Sequence, residues 1–215
     1  MLASNHDLLA QLRVLDNIDG TGRRVEGWCS YEKALAMAEL AISVKPKVSV
    51  ELGVFGGRSL IAQAIGIQRT NSGLIYGVDP WTKEATLEGD LSEGDKEWWG
   101  KLDISNIYAG CLEALVRSKV APVTRLLCCK SDVAAENFGP ESIDILHIDS
   151  NHSEKISTRE VQTWLPKVSP AGFIWFDDVN WPTTQKALGM VKARCDFVRE
   201  IVDKDGGTCH LYCKA

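Results

Sequence analysis

Two apolar segments of this 215-residue chain end in acidic residues. They are DILHIDSNHSE at 144–154 and AGFIWFDDVNW at 171–181. If both are strands of one parallel sheet, Asp149, Asp177 and Asp178 meet at its carboxyl edge. Three adjacent carboxylates repel one another, which raises their pKa values unless a cation neutralises them. Because hard cations prefer oxygen ligands, the sequence predicts a divalent cation, with Mg²⁺ as the first choice, held by these three residues.

A histidine beside these acids is a candidate catalytic base. A cation held by Asp149 would lower the pKa of a substrate hydroxyl, and His152, whose ordinary pKa is about 6.5, could then accept the proton. Asp149 and His152 are therefore the candidate catalytic residues. Their neighbour Asn151 is an amide, which cannot take a proton.

Simpler interpretations of the same residues stay open. Asn151 could cap the following helix, with Glu154 completing a capping box, and His152 could only donate a hydrogen bond at that helix start. The two acids of the second segment could hold loop amides without any metal. The preceding His147 is predicted to be a core histidine with hydrogen-bonding partners, not a ligand.

A glycine-rich turn follows an earlier apolar run, in VELGVFGGRS at 50–59. Its glycines are spaced G-x-x-G-G and lack the G-x-G-x-x-G pattern of dinucleotide-binding proteins. Glu51, two residues before the first glycine, disfavours a phosphate and favours a ligand with an ammonium group. The next apolar run, GLIYGVD, ends in Asp79, whose carboxylate could bond both hydroxyls of a ribose. A ribose and an ammonium group without phosphate describe S-adenosylmethionine (SAM).

These residues also have structural interpretations. The glycines of the turn could simply allow close packing of a strand against a helix. Asp79 could cap the turn before Pro80, which is a common use of aspartate.

Strand and helix patterns alternate along the chain. Strands are predicted at 47–53, 73–79, 121–129, 143–148 and 172–177, and helices at 30–43 with Ser30 as N-cap, 58–68, 107–119, 153–165 and 183–194. The terminal FVREIVDKDGGTCHLYCK predicts a hairpin, because DGG joins two alternating runs. The fold class is therefore α/β, a Rossmann-like doubly wound sheet that is mostly parallel, with an antiparallel C-terminal hairpin strand, in a single domain over 1–215.

Two segments lie outside this alternation. Residues 82–106 are polar and acidic and contain the pair Trp98–Trp99, so we expect a lid or an inserted helix over the ligand crevice. Residues 1–29 form an N-terminal extension, whose amphipathic start over 1–16 is a candidate helix and a candidate element of a homodimer.

The motifs VELGVFGGRS, IYGVDPW, SIDILHIDSNHSE and WLPKVSPAGFIWFDDV, taken in this order, resemble those of class I SAM-dependent methyltransferases. The chain looks like the small "methyltransferase domain" group with H-I-D-x-x-H followed by D-D, which is related to metal-dependent sugar and natural-product O-methyltransferases. The resemblance runs from about Trp28 to Trp181. It implies a seven-stranded sheet with its last strand antiparallel and a small-molecule hydroxyl as methyl acceptor.

The resemblance also implies roles for individual residues. Glu51, Gly53, Gly56 and Ser59 would surround the methionine part of SAM. Asp79 would hold the ribose, Trp81 would lie near the adenine (unless it belongs to the core), and Ser131 would approach the adenine edge. The same three aspartates would hold the metal.

Two departures from the family pattern bear on the acceptor. The catechol-type enzymes have Asp-Asn where this chain has Asp177–Asp178, whereas the sugar-type enzymes have Asp-Asp, so an aliphatic or sugar hydroxyl is favoured. The sugar-type pattern places an acid at the position of Asn151 as general base, so His152 is the remaining candidate.

Composition excludes several other classes. A formal net charge of −5 disfavours nucleic-acid binding. No apolar stretch approaches the roughly 18 residues of a membrane span, and the start lacks the pattern of a signal peptide, so no membrane partner and a cytoplasmic location are expected. Seven cysteines without a C-x-x-C pair predict neither a disulfide framework nor a zinc site, and Cys128 and Cys129 are expected to be buried.

Other functions compete with methyl transfer. An NAD(P)-dependent oxidoreductase would share the fold logic and Asp79, although the chain lacks its glycine spacing and a Tyr-x-x-x-Lys pair. A non-catalytic SAM-binding protein would share the cofactor site. A metal-dependent hydroxylase is a lesser alternative.

Overall fold

A computed structural model describes residues 5–16, 23–204 and 206–215. The strands are β1 Val48–Leu52, β2 Leu74–Val78, β3 Thr124–Leu127, β4 Ile143–Ile148, β5 Val168–Phe176, β6 Cys195–Val202 and β7 Thr208–Lys214. The helices are α1 Asn5–Leu12, α2 Tyr31–Val44, α3 Arg58–Thr70, α4 Lys83–Thr86, α5 Glu93–Lys101, α6 Ile104–Arg117, α7 Ser131–Ala135, α8 Glu154–Trp164 and α9 Gln185–Lys192. Short 3₁₀ turns occur at Arg13–Asp16, Ala121–Val123, Leu165–Lys167 and Pro182–Thr184.

The strands form one seven-stranded sheet in the order β3-β2-β1-β4-β5-β7-β6. The first five strands along the chain pair in parallel, and β7 runs antiparallel to both β5 and β6. The predicted fold class and its terminal hairpin are therefore confirmed, although the described part of that hairpin omits residue 205. Strand order reverses between β1 and β4, which is where open α/β sheets bind ligands.

Each face of the sheet is covered by its own helical layer. Alternate residues of a strand point to opposite faces, so Ile145 and Trp175 pack with α2 and α3, whereas Leu146 and Phe176 pack with α8 and α9. All four of these side chains are almost completely buried. This double covering fixes the sheet and leaves its carboxyl edge to the connecting loops.

The helix predictions for the N-terminal part of the chain are accurate. Ser30 caps α2, its hydroxyl accepting the Lys33 amide at 3.1 Å, as expected from the sequence. Of the predicted helix over 1–16, residues 1–4 lie outside the described residues, and the rest is α1 with a 3₁₀ turn. Within the described residues no helix has the length and apolar character needed to cross a bilayer.

Two local predictions are wrong. The N-cap of α8 is Ser153, and the Asn151 side chain accepts the Ser153 amide at 2.9 Å, so no capping box joins Asn151 to Glu154. Cys128 is exposed and Cys129 half-buried, because β3 ends at Leu127 and both thiols lie beyond the sheet. Length and polarity alone identified 82–106 as an inserted segment, and α4 and α5 occupy most of it.

Gly53 allows the ends of β1 and β4 to approach each other. Its φ is +83°, and a Cβ atom there would lie 2.1 Å from the carbonyl oxygen of Asp149. A side chain at this position would therefore push the two strand ends apart and strain the backbone. Glycine is therefore required at position 53 both by the close approach of the strand ends and by the positive φ.

We expect Gly53→Ala to lower the free energy of unfolding by about 2–4 kcal/mol, because strain from positive φ adds to the steric overlap. The matched control is Gly110→Ala in the exposed interior of α6, where nothing lies within 4 Å of the new Cβ. That variant should gain about 0.5–1 kcal/mol. Urea unfolding measures both, and equal stability of the two variants would contradict the close-approach role.

Candidate active site

The predicted site residues meet at the carboxyl edge of the sheet. Gly53 follows β1, Asp79 follows β2 and Asp149 follows β4, while the pair Asp177–Asp178 follows β5. β1, β4 and β5 are direct neighbours, so their ends form one continuous crevice. The three aspartates predicted to share a cation nevertheless fall into two groups. The inner group contains Asp177, and the outer group contains Asp149 and Asp178.

The inner group is a buried ion pair that sequence reasoning missed. The ammonium of Lys33 bonds Oδ2 of Asp177, and Nε2 of His147 lies 3.2 Å from the same oxygen. Side-chain exposure is 2% for Lys33 and 8% for Asp177, so both charges are removed from water. The sequence offered no basic residue after either strand, because Lys33 comes from α2, more than a hundred residues earlier.

A periodicity signal could have identified Lys33. It shares one helical face with Met37 and Ala41, at four-residue intervals, and both of these are fully buried. A lysine on the buried face of an alanine-rich helix requires a buried acid as partner.

The inner group continues as a row of polar side chains towards β1. His147 Nδ1 lies 3.0 Å from Glu51 Oε2. The Glu51 carboxylate also accepts the Ser59 hydroxyl at 2.9 Å and the Gln63 amide at 2.7 Å. Glu51 is fully buried, so it orients α3 and the glycine turn from within the core. His147 is a core histidine with partners on both ring nitrogens.

Opposite charges within this row stabilise one another. Burial lowers the pKa of Lys33, but Asp177, Asp149 and other nearby groups together outweigh burial and hold that pKa well above its usual value. Burial raises the pKa of Asp177, but Lys33 and His147 together hold it below its usual range. For His147, burial is outweighed by the bonds to Asp177 and Glu51, and its pKa rises to about 9. At neutral pH Lys33 and His147 are therefore both cationic, with the ionised Asp177 between them.

The outer group opens towards solvent. Nε2 of His152 lies 3.0 Å from Asp178 Oδ2 and 3.7 Å from Asp149 Oδ1. This buried nitrogen forms no well-aligned hydrogen bond with either acid. The ring packs against Trp181, with centroids 4.9 Å apart. Asp178 has φ +50°, which turns its side chain away from Asp177 and towards His152.

In the outer group the pKa values of Asp149 and His152 are raised. Burial and the nearby Asp177 raise the pKa of Asp149 to about 6. Burial lowers the pKa of His152, but Asp149 and Asp178 outweigh burial and raise it to about 10. His152 is thus protonated at neutral pH beside these carboxylates, and a protonated imidazole cannot act as a base.

The outer group has the composition of a cation site. Ligand atoms of Asp149, His152 and Asp178 all lie within 4.8 Å of one another. A divalent cation placed there would be held by the two carboxylates, whose oxygens suit Mn²⁺ as well as Mg²⁺, with the His152 nitrogen beside it and able to bind a proton. The three inner residues His147, Asp149 and Asp177 are equally close together, but Lys33 already neutralises that group.

Asp79 holds the glycine turn through its backbone. Its Oδ2 accepts the amides of Val54 at 3.1 Å and Phe55 at 3.0 Å, and its Oδ1 accepts the Trp81 amide at 2.8 Å. Burial raises the pKa of this carboxyl group, while these amides oppose the shift. Asp79 therefore caps a turn, as its structural interpretation predicted, and its Oδ1, which accepts a single amide, retains capacity for another donor.

Two further predicted residues flank this turn. The Trp81 indole donates to the Phe55 carbonyl at 2.8 Å and stacks on Tyr108, with centroids 4.7 Å apart. It is half-buried, so it belongs partly to the core and partly to the crevice wall. Ser131 begins α7 beyond β3, and its hydroxyl bonds the buried Glu160.

Aromatic side chains cover the glycine turn. Phe55 contacts Trp28 and Trp99, and Trp28 also contacts Trp98. These four residues are the aromatic cover. A Cβ atom on Gly56 would lie 2.5 Å from Glu26, so the segment before Trp28 lies directly on the turn.

The inserted segment is also attached at the far side of the crevice. The Asn151 amide donates to the Glu88 carbonyl at 2.7 Å, and a Cβ atom on Gly89 would lie 2.5 Å from the Ser153 hydroxyl. The segment therefore reaches from the glycine turn after β1 to the loop after β4. Asn151 anchors this segment and takes no part in capping α8.

A family model described as "Methyltransferase domain" matches residues 50–179, which contain the glycine turn and all three aspartates of the crevice. No curated protein is a significant sequence match to the chain.

Solved structures share the fold at low sequence identity. The chain is similar to a putative O-methyltransferase from Klebsiella pneumoniae, with 18% identity and a TM-score of 0.64. It is also similar to an O-methyltransferase from Bacillus cereus in complex with SAH, with 15% identity and a TM-score of 0.62. The O-methyltransferase TomG from Streptomyces achromogenes, involved in tomaymycin synthesis and solved with SAM, has 14% identity and a TM-score of 0.62. In each case 100% of this chain and 93% of the other are covered.

The family model spans more than half of the chain, and the strand order and crevice agree with it. The chain belongs to the methyltransferase domain family and has the fold of class I SAM-dependent methyltransferases.

Proposed function

We propose that this protein transfers the methyl group of SAM to a hydroxyl group of a small molecule, with a divalent cation at the outer group. The observation that carries the proposal is the opening of the Asp79 turn and of the Asp149–His152–Asp178 group onto one edge of the sheet. The first suits a ribose and the second suits a metal-bound hydroxyl. O-methyltransferases with the same fold have been solved with SAM or SAH.

The cofactor in this proposal lies over the glycine turn. Asp79 accepts a ribose hydroxyl with the remaining lone pair of its Oδ1, and Trp81 and Ser131 border the adenine. Gly53 and Gly56 keep the backbone close to the methionine part. Glu51 and Ser59 act from beneath, because their polar atoms are already bonded to one another.

The cation in this proposal is held by Asp149 and Asp178. When bound, it supplies Lewis acidity that lowers the pKa of the acceptor hydroxyl. Asp177, the third aspartate expected from the sequence, supports the site from beneath through Lys33 and His147. The two carboxylates also fix the distance between acceptor oxygen and methyl carbon, since proximity supplies much of the rate enhancement in a bimolecular transfer.

His152 receives the acceptor proton. With both carboxylates neutralised by a cation, the interactions that raise its pKa to about 10 would be offset, and burial would then lower the pKa of His152. Methyl transfer would form the bond from the acceptor oxygen to the methyl carbon and break the bond from that carbon to sulfur, with the electron pair left on sulfur in SAH. The sulfonium charge is lost in this step, so no further cofactor is consumed.

The acceptor is small and polar in this proposal. The Asp177–Asp178 pair resembles the pattern of the sugar-type enzymes, which favours an aliphatic or sugar hydroxyl. The segment 82–106 and the aromatic cover close over it and exclude water. A homodimer formed through the N-terminal helix and a cytoplasmic location remain proposals of the same kind.

An oxidoreductase is disfavoured by the turn. Glu51 places a carboxylate beneath the glycine turn, which disfavours a pyrophosphate, and the spacing G-x-x-G-G lacks the dinucleotide fingerprint. Calorimetry decides the matter: SAH should bind and NAD should not. Binding of NAD with no binding of SAH would overturn the proposal.

Asp79→Ala should weaken SAH binding by about 1.5–3 kcal/mol, the scale of a lost charge-assisted hydrogen bond. The control is Asp144→Ala. Asp144 also accepts two backbone amides, those of Lys47 at 2.7 Å and Val48 at 3.0 Å, but at the opposite end of β1. The control should therefore lose stability without losing SAH affinity. Equal affinities of the two variants would remove Asp79 from the cofactor site.

Asp178→Asn should abolish cation binding and cation-dependent turnover. Asparagine keeps the size of the side chain and tolerates the positive φ at this position, so the fold should persist. Calorimetric titration with Mn²⁺ and methyl transfer with and without EDTA are the measurements. The control is Asp196→Asn on the exposed face of β6. Turnover that survives EDTA treatment in the wild type would show that no metal takes part.

His152→Ala should spare Mn²⁺ binding and slow methyl transfer by about 10²–10⁴-fold, the usual contribution of a general base. In the wild type, kcat should rise tenfold per pH unit until the pH reaches the pKa of His152, since only the neutral ring accepts a proton. The variant should lack this rise. His210→Ala, remote on the hairpin and bonded to Glu200, is the control and should retain it. A rise that persists in His152→Ala would identify a different base.

A further inference from the structure

Lys33 neutralises an acid that would otherwise face the cation site. Its ammonium bonds Oδ2 of Asp177, the oxygen that also contacts His147. Asp177 is thereby saturated on the side that looks towards Asp149. The pair is almost completely buried, which makes it expensive in desolvation, and a hydrophobic pair would commonly be as stable. A role beyond stability is therefore required.

The inner and outer groups share one residue. Asp149 offers its Oδ2 to the inner group, 3.9 Å from His147 Nε2, and its Oδ1 to the outer group, 3.7 Å from His152 Nε2. Ligand atoms of Asp149 and Asp177 lie within 4.8 Å of each other. A single cation at Asp149 could therefore recruit Asp177 as well as Asp178, if Asp177 were free.

We infer that Lys33 is a built-in counter-ion that keeps Asp177 out of the metal's ligand set, so that the cation is held by two carboxylates and not three. This inference rests on the proposed cation site and deepens it. Affinity for hard cations increases with the number of charged oxygen ligands. A site with two carboxylates binds more weakly and leaves coordination positions for the acceptor hydroxyl.

Lys33 has this role as a positioning residue, because it touches neither cofactor nor acceptor. Its charge arrives from α2 and acts on the cation site through its bond to Asp177 and through the nearby Asp149. Removing Lys33 should release Asp177 as a third carboxylate. Removing Asp177 should give no gain in cation affinity, since that oxygen is already occupied. These opposite expectations separate a counter-ion from a residue that merely stabilises the fold.

The test is calorimetric titration of EDTA-treated full-length protein with Mn²⁺. Lys33→Met should bind Mn²⁺ about 10–100-fold more tightly than the wild type, the scale of changes to residues that surround metal ligands. Asp177→Asn should bind Mn²⁺ no more tightly than the wild type does. The double variant should return to wild-type affinity, because no third carboxylate remains to be released.

Several outcomes overturn the inference. They are unchanged or weaker binding in Lys33→Met, tighter binding in Asp177→Asn, or a double variant that keeps the gain or binds more weakly than the wild type. Circular dichroism confirms folding, and Lys33→Gln, which keeps a donor but no charge, replaces Lys33→Met if that variant does not fold. If neither folds, the double variant decides alone, because weaker binding there would identify Asp177 as a ligand. SAH binding is measured separately, so loss of the methyltransferase proposal would be distinguishable from loss of this one.

Discussion

The buried ion pair between Lys33 and Asp177 connects the helical layer to the catalytic edge. It joins α2 to the end of β5, and through His147 and Glu51 it continues across β4 and β1 to α3. Each of these charges would be costly in the core alone, and together they are mutually neutralising. The row thus sets the relative positions of three adjacent strand ends, and the glycine turn and the outer group both depend on these positions.

The separation of Asp177 from Asp178 follows from this row of buried charges and from the backbone conformation of Asp178. Consecutive residues of an extended strand point to opposite faces, so Asp177 enters the inner layer. The positive φ of Asp178 then turns the next side chain towards His152. Two adjacent aspartates consequently have different tasks: one is neutralised within the protein, and the other is available to a metal ion.

The sequence predicted the sheet and most of the crevice because those features have local causes. Apolar runs ending in Gly53, Asp79 and Asp149 place these residues at strand ends, and hydrophobic periodicity identifies the helices between them. Partners from distant elements have no such signature. The Lys33 bond to Asp177 and the Asn151 bond to Glu88 depend on how helix and loop pack, which no short window of sequence reports. The Cys128–Cys129 error has the same origin, since the apolar run continues beyond the end of β3.

The aromatic cover and the inserted segment contact the crevice at both of its ends. The aromatic cover contacts the glycine turn through Phe55, and the Phe55 amide is bound by Asp79. At the other end of the same segment, Asn151 binds Glu88 and lies next to His152. The proposed cofactor site at Asp79 and the proposed acceptor site at the outer group therefore lie at opposite attachments of one segment. This arrangement would let a single cover exclude water from both sites at once.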